Sequence, residues 1–239
     1  MRCPVTAGAK AAALALGLLL APAPAPAQAG ACALELILAV DVSGSIDTRE
    51  FDLQAGGLAD AFENPSLIAA ISGLDGGALV TMTHWSGSSR QRQMTAWHYV
   101  TDAPSMAAFA SEARSAERAW RNFSTAIGDA LTHAAQVSGT APQPCKRRVI
   151  DVSGDGVSNE GDPPSIISRA IAAQGYTING LVIRGADPDP VAHFQAQVIA
   201  GPGAFVEIAA SFSDYPRAIL RKLLREVDQP LILSEVEGG

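Results

Sequence analysis

The sequence predicts an α/β protein, a doubly wound and mostly parallel six-stranded sheet with helices on both faces. Three observations carry that expectation. Leu34–Val40, Arg148–Ser153 and Thr177–Ile183 are nearly continuous apolar runs, as central parallel strands are when helices cover both faces. Strand-like runs alternate with helical patterns along the chain, which is the rhythm of an open α/β sheet. The first run ends in "DVSGS", Asp41–Ser45, at the carboxyl end of a strand, where sheets of this kind bind ligands.

The elements follow in order. Six strands are expected, at Leu34–Val40, Ala78–Trp85, Arg92–Tyr99, Arg148–Ser153, Thr177–Ile183 and Ala204–Ile208. Asp47 and Glu50 form an Asp-x-x-Glu capping signal, after which Phe51, Ala55, Leu58 and Phe62 share one helix face. Gly56 and Gly57 weaken that helix by roughly 1 kcal/mol each and predict a close approach to the sheet. A helix starting near Thr125 places Ile127, Ala130, Leu131 and Ala134 on one stripe. Asp162 is expected to cap a helix with Pro163 in its first turn. Ser213 is expected to cap the last helix, whose apolar face is Ile219, Leu220, Leu223, Leu224 and Val227.

Composition narrows the class. Residues 1–29 read as a secretory signal peptide: Arg2 and Lys10 make a basic start, "AAALALGLLLA" is an apolar run too short to span a bilayer, and "AQAG" offers a small-x-small cleavage site. No later run approaches the ~20 apolar residues of a membrane helix. The expected product is soluble and exported, to the periplasm of a Gram-negative bacterium or beyond. One domain over residues 30–230 and a short tail at 231–239 fit the remaining length. The full chain carries a net charge of −7; losing Arg2 and Lys10 takes it to about −9. No basic stripe stands out, so nucleic acid is not an expected partner.

The candidate site grows from Asp41. Asp41, Ser43 and Ser45 can converge in the turn after a strand, with Gly44 folding the backbone tightly between the serines. Their hard oxygens suit Mg²⁺ or Mn²⁺ rather than a soft metal. The fourth strand ends similarly in "VIDVSGDGVSN", and Asp155 lies beside Asp41 if the two strands are neighbours. Two carboxylates at a dry sheet edge repel unless a cation or proton intervenes. Thr125, in "NFSTAIGDAL", supplies a third hydroxyl from a loop before a helix.

On these residues the chain resembles the von Willebrand factor A domain family, over roughly residues 33–228. Its metal-ion-dependent adhesion site pairs Asp-x-Ser-x-Ser with a distant Thr and a distant Asp, here Asp41, Ser43, Ser45, Thr125 and Asp155. "DVSGDG" is similar to a bacterial exported subfamily of largely uncharacterised function. The resemblance implies a binding module and not an enzyme. Hydroxyls of Ser43, Ser45 and Thr125 would hold Mg²⁺ or Mn²⁺, and Asp41 and Asp155 would act directly or through water. An Asp or Glu carboxylate of a protein partner would fill the remaining position. "NFST" departs from the family pattern, in which glycine often precedes the threonine. Asp151, inside a strand, has Arg147 or Arg148 as its expected partner.

Two rival functions are weighed against this. In a serine hydrolase, Ser43 or Ser45 would be the nucleophile, His84 the base and Asp155 its orienter, but "VSGSI" lacks the Gly-x-Ser-x-Gly elbow. In a metal-independent interaction domain, a chelator would leave partner binding unchanged. Trp120 and Phe123 are candidates for a site rim.

Cys32 lies nine residues before Asp41, and Cys145 ten before Asp155. If the two strands are parallel neighbours with level aspartates, the cysteines are level to within about one residue, ~3.3 Å along a strand. A Cys32–Cys145 disulfide is therefore expected in an oxidising compartment. The rival is a lipid anchor on Cys32 after "QAGA", where Ala29 stands in place of the usual leucine.

Overall fold

The structure is a computed structural model that describes Met1 and residues 32–228. The expected signal peptide and the tail at 231–239 lie outside the described residues. Among the described residues, no helix is long and apolar enough to cross a membrane.

The strands are β1 (Cys32–Asp41), β2 (Ala78–Trp85), β3 (Gln91–Gln93), β4 (His98–Val100), β5 (Cys145–Gly154), β6 (Tyr176–Ile183) and β7 (Val206–Ala209). They form one sheet in the order β3-β2-β1-β5-β6-β7, with β4 also on β2. β2, β1, β5, β6 and β7 are mutually parallel, and β3 and β4 run antiparallel to β2. The sheet is thus doubly wound and mostly parallel, as the apolar runs predicted, but with seven strands. The expected strand Arg92–Tyr99 is two short strands, because the Thr95 side chain takes over a strand's role between them. Its hydroxyl accepts the Met82 N–H at 2.9 Å, which no backbone carbonyl of that segment then receives.

The helices are α1 (Thr48–Phe62), α2 (Pro65–Ser72), α3 (Ala103–Ser115), α4 (Ile127–Ser138), α5 (Pro164–Ala172), α6 (Val191–His193, continuing into a π turn at Phe194–Val198) and α7 (Tyr215–Asp228). Alternation along β1 sorts them into two layers. Leu34, Leu36, Leu38 and Val40 pack with Leu58, Phe62, Leu67, Phe109, Ile219 and Leu223 of α1, α2, α3 and α7. Ile37 and Ala39 pack with Ile127, Leu131, Ile171 and Phe194 on the other face.

The capping box of α1 forms as expected: Asp47 Oδ1 accepts the Glu50 N–H, and Glu50 Oε2 accepts the Asp47 N–H, each at 2.8 Å. Three local expectations are corrected. Gly57 makes its close approach to α7 and not to the sheet, since a Cβ there would lie 2.9 Å from Pro216 Cα, and Gly56 faces open space. Asp162 does not cap α5: the helix begins after Pro163, and the Asp162 N–H donates instead to Asp129 Oδ2 at 3.1 Å. Ser213 does not cap α7 either. It lies inside a 3₁₀ turn, Phe212–Asp214, that precedes the helix, and Asp214 accepts the Ala210 N–H there.

Cys32 and Cys145 are paired directly in register between β1 and β5. They form a disulfide with a Cα–Cα distance of 4.3 Å. The same register sets Val40 beside Ser153, which leaves Asp41 and Asp155 together where the two strands end.

Candidate metal centre

β1 and β5 sit at the point where the winding reverses, since β2 lies on one side of β1 and β5 to β7 on the other. This is where an open α/β sheet leaves a crevice. The loop after β1 folds back on Asp41, whose Oδ1 accepts the Ser43 N–H at 2.7 Å. Ser43 Oγ and Ser45 Oγ are 3.4 Å apart. Ser45 Oγ donates to Asp155 Oδ1 at 2.8 Å, which joins the two strand ends through one hydroxyl.

Gly44 serves this loop by close approach. A Cβ there would lie 3.2 Å from Asn122 Cα, and the Gly44 N–H donates to Phe123 O at 2.8 Å. The Thr125 loop is therefore clamped against the serine loop. Asn159, just beyond Asp155, holds Thr125 in turn: its Oδ1 accepts the Thr125 N–H and its own N–H donates to Thr125 O, each at 2.9 Å. The Thr125 hydroxyl faces Gly156, 3.9 Å from where a Cβ on that glycine would stand. Hydrogen bonds thus join Asp41, Ser43, Ser45 and Asp155, and Thr125 is brought to them by backbone contacts.

Asp41, Ser43, Thr125 and Asp155 are buried, whereas Ser45 is exposed. Burial pushes the Asp41 carboxyl up to about 8, and the nearby Asp155 charge pushes the same way against the Ser43 hydrogen bonds. Asp155 is also raised, first by burial and against its bond from Ser45. Asp41 Oδ2 is buried with no hydrogen-bond partner. Among the described residues neither acid has a salt bridge. An orphaned carboxylate oxygen, a second acid and three hydroxyls make a hard-oxygen donor set that fits Mg²⁺ or Mn²⁺. Only two of the donors are carboxylates, and no group of three or more His, Cys, Asp or Glu side chains suited to a metal occurs among the described residues. An open cleft of about 420 Å³ adjoins Ser45 and Asp155, with Arg49, Arg184 and Phe212 in its walls.

Two residues that support this loop were missed at the level of sequence. One is Asn159, although it ends the quoted "DVSGDGVSN" segment. The other is Arg118, whose Nη2 donates to Val42 O at 3.0 Å and Ser43 O at 2.8 Å; its position in a loop gives no signal. The expected partner of Asp151 is corrected: Lys222 of α7, not Arg147 or Arg148, pairs with it at 2.6 Å. Arg147 instead donates to the Glu226 carbonyl at 2.7 Å.

His84 is buried edge-on against Phe51. Burial, then the charges of Arg118 and Arg92, hold it down near 4. Among the described residues neither Ser43 nor Ser45 hydrogen-bonds an imidazole, so no hydrolase triad is assembled around them.

Residues 31–231 match the model of a family described as "Protein of unknown function (DUF1194)". The chain belongs to that family. No curated protein matches it. The fold is that of a von Willebrand factor A domain. A von Willebrand factor type A protein from Catenulispora acidiphila superposes with a TM-score of 0.53 at 19% identity, covering 82% of this chain and 43% of that one. Proximal thread matrix protein 1 from the mussel byssus gives 0.58 at 17% identity, covering 82% and 47%. Another structure of that mussel protein, described as having a zinc-occupied MIDAS motif, gives 0.57 at 15% identity, with the same coverage. The pilus adhesin SpaC from Lactobacillus rhamnosus GG gives 0.58 at 15% identity, covering 83% and 30%. The chain therefore spans less than half the length of each of these structures.

Proposed function

We propose that this DUF1194 protein is an exported, non-enzymatic binding module. It holds Mg²⁺ or Mn²⁺ through Asp41, Ser43, Ser45, Thr125 and Asp155 and binds an Asp or Glu carboxylate of a protein partner through that cation. The observation that carries this reading is the pair Asp41 and Asp155, two buried acids at one strand edge with an orphaned oxygen and no salt bridge among the described residues. A bound divalent cation supplies the missing positive charge and an electrophilic position for an outside carboxylate. Ser45 orients Asp155, Asn159 fixes Thr125, and Arg118 ties down the serine-loop carbonyls, so the donors are held in place beforehand.

The zinc-occupied MIDAS motif of the mussel protein supports a cation at this position in the fold, without choosing the metal for this chain. The adhesin SpaC supports an interaction role. The Cys32–Cys145 disulfide supports an oxidising compartment, and the periplasm fits the expected leader.

The test is isothermal titration with Mn²⁺ and Mg²⁺, followed by capture of partners from periplasmic extract with and without EDTA. One cation site is expected in the wild type and none in Asp41→Ala, with capture lost in EDTA and in Ser43→Ala and Thr125→Ala. Equal heats from wild type and Asp41→Ala overturn the metal site. A partner retained in EDTA favours a metal-independent domain instead.

A further inference from the structure

One flank of the site gathers four arginines from two neighbouring segments of the chain. Arg90 lies in the turn after β2, Arg92 in β3, and Arg118 and Arg121 between α3 and α4. Among the described residues none of these four has a salt bridge, as is also true of Arg49, Arg147, Arg148, Arg169 and Arg225; what sets the four apart is that they gather on one flank of the site. That gathering matters because the chain as a whole is acidic, at −7.

The two segments are built as one surface. The Arg92 guanidinium lies 5.2 Å from the centre of the Trp120 ring, and that of Arg90 lies 4.7 Å from the centre of the Phe123 ring. Phe123 is 41% exposed, and its carbonyl is bonded to Gly44 in the serine loop, so this surface is continuous with the candidate metal centre. Arg92 and Arg121 are exposed.

We infer that this flank is a second contact surface for an acidic segment of the protein partner, with further carboxylates beside the metal-bound one pairing with Arg92 and Arg121 and an apolar part of the segment covering Phe123. The inference rests on the metal-mediated reading of the site and adds the chemistry of the partner around it. It also eases a difficulty of that reading, since the net negative charge of the protein repels an acidic partner at long range. An arginine-and-aromatic rim is the composition on which binding energy concentrates in protein interfaces, and rim charges of this kind steer association and set its dependence on salt.

The test uses two labelled peptides in saturating Mn²⁺ at low salt: hexaglutamate and Gly-Gly-Glu-Gly-Gly-Gly, followed by fluorescence anisotropy. Two exposed charge pairs of modest strength give hexaglutamate an advantage of about tenfold. That advantage should collapse in Arg92→Gln/Arg121→Gln and survive in Arg92→Lys/Arg121→Lys, with Mn²⁺ binding unchanged in both variants. The lysine variant separates lost charge from damaged folding. Equal affinity for the two peptides, with normal Mn²⁺ binding, overturns the arginine surface alone. Failure of the wild type to bind Mn²⁺ overturns the metal reading and this inference with it. Mn²⁺-independent binding to phosphatidylglycerol vesicles that exceeds binding to hexaglutamate overturns the protein partner in favour of a membrane surface.

Discussion

Asp151 in β5 and Asp155 just beyond its end are four residues apart, and each meets a second acid, but the two pairs are completed differently. Asp151, in the middle of the strand, faces Glu226 of α7, and Lys222 sits between them at 2.6 Å from each carboxylate. Asn179 also donates to Glu226 at 2.9 Å, and Arg147 reaches the Glu226 carbonyl. All of Asp151, Lys222, Glu226 and Asn179 are buried. Asp155, at the end of the strand, faces Asp41, and there hydroxyls and an orphaned oxygen stand where the other pair has a lysine. The fold answers one buried acid pair with its own cation, and the other is the pair for which a cation from solution is proposed. The difference follows from position. A strand interior lies beneath a helix that can deliver a side chain, whereas a strand end opens into a cleft that an ion can enter.

Removing the built-in cation should have the largest effect. Lys222→Met strands two buried carboxylates, and breaking a buried pair in this way costs ~3–5 kcal/mol. Urea unfolding measures it, and addition of Mg²⁺ should not restore the loss, because the proposed site for the ion is the other pair. A loss below ~1 kcal/mol would erase the distinction between the two regions.

Supplying the missing cation comes next. A ligand that binds only the folded state contributes ~2.7 kcal/mol at one hundred times its dissociation constant. Mg²⁺ or Mn²⁺ at that level should raise the melting temperature of the wild type but not of Asp41→Ala. Coincident melts in EDTA and in Mg²⁺ would leave the Asp41–Asp155 pair without its proposed occupant.

The pH dependence sharpens the contrast at Asp151. Burial, reinforced by Glu226 and opposed by Lys222, raises its carboxyl to about 7 from an ordinary value of 3.8. Between those values the folded state holds the proton more tightly than the unfolded chain. Its contribution is therefore full below about pH 4, falls as pH rises and is gone above about pH 7. The urea midpoint of Asp151→Asn should decline less over that window than that of the wild type. Parallel profiles would place the titration elsewhere.

The smallest effect is expected from Ser45→Ala, which removes the one hydroxyl joining the strand ends. Loss of its bond to Asp155 costs ~1 kcal/mol of stability. The larger consequence should be weaker Mn²⁺ binding, read by calorimetry. Unchanged Mn²⁺ affinity would show that Ser45 orients nothing the ion needs.

The sequence by itself determined what depends on local pattern. Apolar runs placed the parallel strands, the Asp47–Glu50 spacing placed the start of α1, and "DVSGS" and "SGDG" placed two acids at strand ends. Offsets of nine and ten residues from Cys32 and Cys145 to those acids also anticipated the disulfide, because parallel strands advance at nearly the same rise per residue. Tertiary structure decided what depends on residues that meet only after folding. Arg92–Tyr99 reads as one strand in sequence, but the Thr95 hydroxyl breaks it by accepting the Met82 N–H across the sheet. Gly57 makes room for Pro216, not for the sheet, because α7 packs back across α1. Arg148 lies on the opposite face of the strand from Asp151, and Arg147, on the same face but four residues away, donates to the Glu226 carbonyl, so the helix crossing above supplied Lys222 instead. Asn159 and Arg118 each hold the threonine or the serine loop through two long-range hydrogen bonds. Such bonds have no periodicity, so only the folded chain could reveal them.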